Sequence, residues 1–171
     1  MGIARYLRSA WAALPRWARW MLAVYLAGFA DGTAAHARDL ARAGFHAYSG
    51  FPQVPLRVFF ISLVLLDPLV VVLTALVLPA GIWLASIVMV LDVAANTAGN
   101  WSRIQRDPAW PFTASGLLLI TVFAVFVLAT APAMLRVTRR AASAGLSWGV
   151  WRRKQGQNTH DNLGSRAVQH L

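Results

Sequence analysis

Residues 55–101 read PLRVFFISLVLLDPLVVVLTALVLPAGIWLASIVMVLDVAANTAGNW, and the only charged side chains among them are Arg57, Asp67 and Asp92. Leu78-Pro79 divides the stretch into two apolar runs, 55–78 and 79–101. Each exceeds the ~20 residues that an α-helix needs to cross ~30 Å of hydrocarbon. With so little chain between them, the two runs are expected to form a tight antiparallel hairpin. Near the middle of each lies one carboxylate, a group that costs about 2.5 to 3.5 kcal/mol to insert at that depth.

The flanks extend the same pattern. Residues 113–137 form a further apolar run whose polar groups away from its two ends are Ser115, Thr121 and Thr130, hydroxyls able to bond their own backbone, so this span reads as scaffold. Residues 17–36 form a first span, with Trp17 and Trp20 at one interface. Beyond it Asp31, His36, Arg38, Asp39, Arg42 and His46 fall within roughly 160° of a continuing helix, so the first helix is expected to run to about 46 with one wet face. Ser49-Gly50-Phe51-Pro52 breaks it.

Residues 1–15 carry apolar side chains at three- and four-residue steps, the pattern of an amphipathic helix lying in the headgroup boundary. Residues 139–154 are basic, with Trp148 and Trp151, and read as a second interfacial segment. Residues 155–171 are polar and nonperiodic, and disorder is expected there. The expected fold is all-α: a polytopic integral membrane four-helix bundle with interfacial segments at both ends.

Composition agrees with lipid as the main solvent. Of 171 residues, 58% are hydrophobic and 13% charged, about half the charged fraction of a soluble domain. Net charge is +10, and all the acids are Asp. The positive residues gather at the ends of apolar runs, so anionic membrane lipids, and no nucleic acid, are the expected partners. The absence of Cys excludes disulfides, thiolate chemistry and Cys-based metal sites. A bias to Arg over Lys, with much Ala, Val and Leu, is that of a GC-rich bacterial genome.

Orientation follows from the positive charges. The terminal segments hold most of them, including Arg16, Arg19, Arg136, Arg139 and Arg140. The opposite side holds Arg38, Arg42, Arg57, Arg103 and Arg106. By the positive-inside rule both termini are cytoplasmic and the bilayer is the cell inner (plasma) membrane. A rival reading takes Ala35-His36-Ala37 as a signal-peptide cleavage pattern. Asp31 and the polar stripe continuing past that point argue against it.

Asp67 and Asp92 are the candidate catalytic groups. Counted from Leu78-Pro79, they lie about 17 to 20 Å from the turn and so at nearly one depth. Two carboxyls meeting there would share a proton, as donor and acceptor. Asn96 and Asn100 extend a polar track outward from Asp92, and Thr74 lies two turns from Asp67 on one face. Asp31, His36 and Asp39 would close the site from the first helix as ligand-binding residues. Arg38, Arg42, Arg57 and Arg103 would ring the outer mouth and draw in an anionic headgroup or substrate. Trp101 and Trp110 read as an aromatic belt. No metal site and no cofactor are expected, because no ligand cluster, phosphate loop or haem signature is present.

Three functional readings remain open on the sequence. The first is a site that binds or converts a lipophilic small molecule by proton transfer, in the manner of an isomerase or cyclase. The second is a noncatalytic membrane subunit or assembly factor, with a homo-oligomer or membrane partner, in which buried polar groups fix helix pairing. The third is a proton-coupled small transporter.

Overall fold

The computed structural model describes residues 3–113 and 116–168, with side chains as far as Ser143 apart from Arg5 and Thr113. The described residues form helices and turns. These are α1 (Ile3–Ala13), α2 (Arg16–Ala43), a 3-10 turn (Gly44–His46), α3 (Val54–Ala75), α4 (Pro79–Gly99), the short α5 (Trp101–Arg106) and α6 (Trp110–Thr113), and α7 (Gly116–Val168). The α7 backbone thus continues as helix through the segment where disorder was expected. Ser115 and the last three residues of that tail lie outside the described residues.

Among the described residues, three helical segments are long and apolar enough to cross a membrane: Val54–Ala75, Pro79–Gly99 and Gly116–Ser143. Their outward faces carry exposed Leu65, Val72, Trp83, Ile87, Leu119 and Val125. Continuous apolar surface of this kind needs lipid or protein to cover it.

The hairpin is built by a Schellman-type stop. Leu78 N–H bonds the Leu73 carbonyl at 3.0 Å and Val77 N–H bonds that of Thr74 at 2.9 Å, which satisfies two carbonyls left over at the end of α3. The position that glycine usually takes in this motif is Val77, with φ of 57°, a strained conformation for a β-branched residue. Val77 is fully buried, so packing holds it there. Pro79 then starts α4 at a position where a missing N–H costs nothing. At Pro68 the α3 helix continues unbroken, although proline gives no N–H to the Val64 carbonyl.

Two more carbonyls at this turn are met by α1. Trp11 Nε1 donates to Ala75 O at 2.9 Å and the Tyr6 hydroxyl to Leu76 O at 3.2 Å. Ala10 and Leu14 are buried, and α1 also packs on α7. The face expected to enter the headgroup region is therefore turned onto the protein, because the hairpin end offers both apolar surface and unpaired acceptors.

The long helices pack in chain order, α2 on α3, α3 on α4 and α4 on α7. Contact returns from α7 to α2 through Tyr25, whose hydroxyl meets Val127 O at 2.8 Å and Thr130 Oγ1 at 3.0 Å. Phe29 and Phe123 add an edge-to-face pair with centroids 5.5 Å apart. The buried stripe of α2, Ala18, Leu22, Tyr25 and Phe29, leads outward along the same face to Gly32 and His36, one helical repeat at a time. The α2 helix is unbroken through residues 35–37.

Candidate functional site

Asp67 sits in the buried stripe of α3 with Phe60, Leu63, Val70 and Thr74, and is only 5% exposed. Gly32 makes room for it: a Cβ there would lie 2.7 Å from Asp67 Oδ2. One turn further out along α2, His36 turns its Nε2 toward the same carboxylate oxygen at 3.9 Å. The buried carboxylate thus faces an imidazole on a neighbouring helix.

The other ring nitrogen of His36 is also engaged. Nδ1 lies 2.8 Å from the hydroxyl of Tyr48, and that hydroxyl donates to Asp39 Oδ2 at 3.3 Å. Tyr48 belongs to the segment between α2 and α3, which folds back over the end of the helices away from the hairpin turn. Tyr48 and Phe51 both stack on Phe60, with centroids 5.4 and 4.9 Å away. Phe51 in turn lies against Gly99, where a Cβ would meet its ring. Burial pushes the Tyr48 hydroxyl well above the ordinary phenol range, and the charges of Asp39, Asp92 and Asp67 push it the same way. It therefore keeps its proton at neutral pH.

No protein-family model, curated protein or solved structure matches this chain.

Asp92 is half-buried and bonded within its own helix. Asn96 Nδ2 donates to Asp92 Oδ1 at 2.9 Å, and Asn100 Nδ2 donates to Asn96 O at 2.9 Å. The expected polar track on the second hairpin helix is thus present as an i, i+4 ladder. Its depth differs from the expectation. A Cβ on Gly81 would meet Thr74 N, and one on Gly99 would meet Leu56, so the two antiparallel helices are in step from end to end. Asp67 is then level with Val88, and Asp92 with Leu63, one turn or about 6 Å further from the hairpin turn. The difference arises because α3 ends at Ala75 and three residues of turn precede α4. Among the described residues no hydrogen bond joins Asp67 to Asp92.

Six other expected members stand apart. Thr74 is buried at the hairpin end, its Oγ1 without a hydrogen-bond partner and pressed against Gly81, two turns from Asp67; it belongs to the helix contact. Asp31, Arg38 and Arg42 are exposed on α2, on the opposite flank from Gly32 and His36. Arg57 is half-buried, with Nε buried and unpartnered. Arg103 stacks its guanidinium over Trp110 at 4.6 Å, a cation–π contact. Among the described residues no three His, Cys, Asp or Glu gather closely enough to hold a metal.

Tyr48 was not among the residues singled out from sequence. It lies outside every periodic run, and its only mark is an aromatic hydroxyl next to the Ser49-Gly50 break.

Proposed function

We propose that this chain is a four-span protein of the bacterial inner membrane, with α2 as the fourth span and both termini cytoplasmic. Asp67, in this reading, gives a proton to, or takes one from, a lipophilic small molecule. The support for α2 as a span is its course. It starts beside α1, which is bonded to the hairpin turn at one end of α3, and it ends beside Tyr48 at the other. If α3 crosses the bilayer, α2 crosses with it. Its 28 residues extend about 42 Å, more than the hydrocarbon thickness. The orientation rests on the excess of Arg and Lys in the terminal segments.

The observation that carries the chemistry is the pairing of buried Asp67 with His36 across 3.9 Å. An acid and an imidazole in a water-poor setting form a unit that can hold or release one proton. Apolar helix surfaces on every side favour a substrate that arrives from the lipid phase. Proton-driven isomerisation or cyclisation of an isoprenoid-like compound would suit such a site.

A second reading, a noncatalytic membrane subunit, draws on Asp31. It is exposed on α2 beside a strip of exposed small residues, Ala23, Ala27, Ala30 and Ala34. Small residues let a second helix approach closely, and a polar group can then bond across the contact.

One purification separates the two. Wild type, Asp67→Asn, Asp92→Asn and Asp31→Leu are extracted in mild detergent. Bound compounds are identified by mass spectrometry, and assembly size by light scattering. The proposed function expects a defined lipophilic compound on wild type and Asp31→Leu, lost from Asp67→Asn. Equal bulk lipid on all four, with a smaller assembly for Asp31→Leu alone, would instead establish the subunit reading.

A further inference from the structure

We propose that His36 and Tyr48 form a proton relay joining buried Asp67 to Asp39 at the outer surface. The inference rests on the reading of Asp67 as a group that gains and loses a proton. It adds the route and the direction. The contacts in order are Asp67 Oδ2 to His36 Nε2 at 3.9 Å, His36 Nδ1 to the Tyr48 hydroxyl at 2.8 Å, and that hydroxyl to Asp39 Oδ2 at 3.3 Å. Asp67 is buried, His36 and Tyr48 are half-buried and Asp39 is exposed, so the series climbs from the interior to water.

Donor and acceptor roles follow from the two ends. The Tyr48 hydroxyl donates its hydrogen to Asp39. Its oxygen is then free to accept from Nδ1–H of neutral His36, which leaves Nε2 as a bare acceptor facing Asp67. Every link therefore points outward. A proton on Asp67 passes to Nε2 as Nδ1 gives its own to Tyr48 and Tyr48 gives its own to Asp39. Asp67 ends ionised and Asp39 protonated, and Tyr48 stays neutral throughout. His36 ends as the other tautomer and returns by the reverse transfer or by turning its ring. The 3.9 Å step is longer than a hydrogen bond, so the transfer requires the Asp67 carboxyl to turn toward Nε2 about its soft terminal torsion.

The charged and titratable groups facing the relay are Asp67 from α3, Asp39 from α2 and Asp92 from α4, all within electrostatic reach of the Tyr48 hydroxyl. Stacking on Phe60 holds the Tyr48 ring in place, so removing its hydroxyl leaves the packing intact. Tyr48→Phe is the clean interruption.

The test is infrared spectroscopy of the full chain in lipid vesicles. The carboxylic C=O band of Asp67 is identified by its loss in Asp67→Asn, and its shift is then timed after transfer from H2O to D2O. Exchange at this band is expected to slow about 10²-fold in both Tyr48→Phe and His36→Gln, the low end of what one positioned proton-transfer group contributes. The band itself and the unfolding temperature of Tyr48→Phe are expected to hold. Wild-type exchange rates in both variants would overturn the relay while leaving Asp67 as a protonated site. Absence of any Asp67 band between about pH 4 and 9, the range over which carboxyl and imidazole groups titrate, would overturn the relay and the proposed function together.

Discussion

At Gly32 a methyl group would stand 2.7 Å from Oδ2 of Asp67 and 3.5 Å from its Cγ. The obstructed atoms belong to the end of a side chain, which can swing aside more cheaply than a backbone can. Gly32→Ala is therefore expected to cost less than about 1 kcal/mol of stability, below the usual penalty for overpacking. It should nevertheless pull the carboxylate out of line with His36. Thermal unfolding in detergent measures the first effect, and the frequency of the Asp67 C=O band the second. A large loss of stability with an unmoved band would show that the contact serves packing alone. Asp67 and His36 could be picked out in the sequence because a charged or titratable residue in an apolar run has few reasons to be there. Tyr48 could not. Its position depends on a turn folding back onto Phe60, and no period in the sequence encodes that.

Among the helices, the contact between α3 and α4 is set by backbone against backbone. A Cβ on Gly81 would lie 2.7 Å from Thr74 N and 2.8 Å from Leu73 C, and neither atom can move without parting the helices. Gly81→Ala is expected to destabilise the protein by about 1–3 kcal/mol. Gly50→Ala serves as a control, since a Cβ there meets nothing within 4 Å; it should stay within about 0.5 kcal/mol. Paired unfolding curves in one detergent check both. A neutral Gly81→Ala would mean that the helices are not in the register from which the depths of Asp67 and Asp92 are read. The hairpin was legible from Leu78-Pro79, but its three residues of turn were not, and that shortfall set the two acids at one depth. The angular reading of α2 gave an exposed face, with Asp31, Arg38, Asp39, Arg42 and His46 all open, but could not sort its members. A sector of roughly 160° is wide enough to hold both His36, which faces α3, and Asp31, which faces outward. Only packing divides them.

For the whole molecule the decisive question is whether α2 crosses the membrane beside α3. Its composition does not qualify it among the apolar spans of the described residues, since Asp31, His36 and the arginines toward its two ends dilute the hydrophobic signal that marks the other three. Its contacts argue for crossing. The hydroxyl of Tyr6 is bonded to Leu76 at the hairpin end of α3, and Tyr48 is stacked on Phe60 near the opposite end; α2 spans the distance between them. The chain has no cysteine, so single-cysteine variants report position without background. Ala12 and Ser49 are both exposed and lie at opposite ends of α2. Ser49→Cys is expected to react with a membrane-impermeant maleimide added to intact spheroplasts, and Ala12→Cys only after the membrane is opened. Ser102→Cys, just past the far end of α4, should behave like Ser49→Cys. If Ala12→Cys and Ser49→Cys react from the same side, α2 lies along the surface. His36 and Asp67 could not then meet inside a bilayer, and the relay would lose the low-dielectric setting that gives a proton path its purpose.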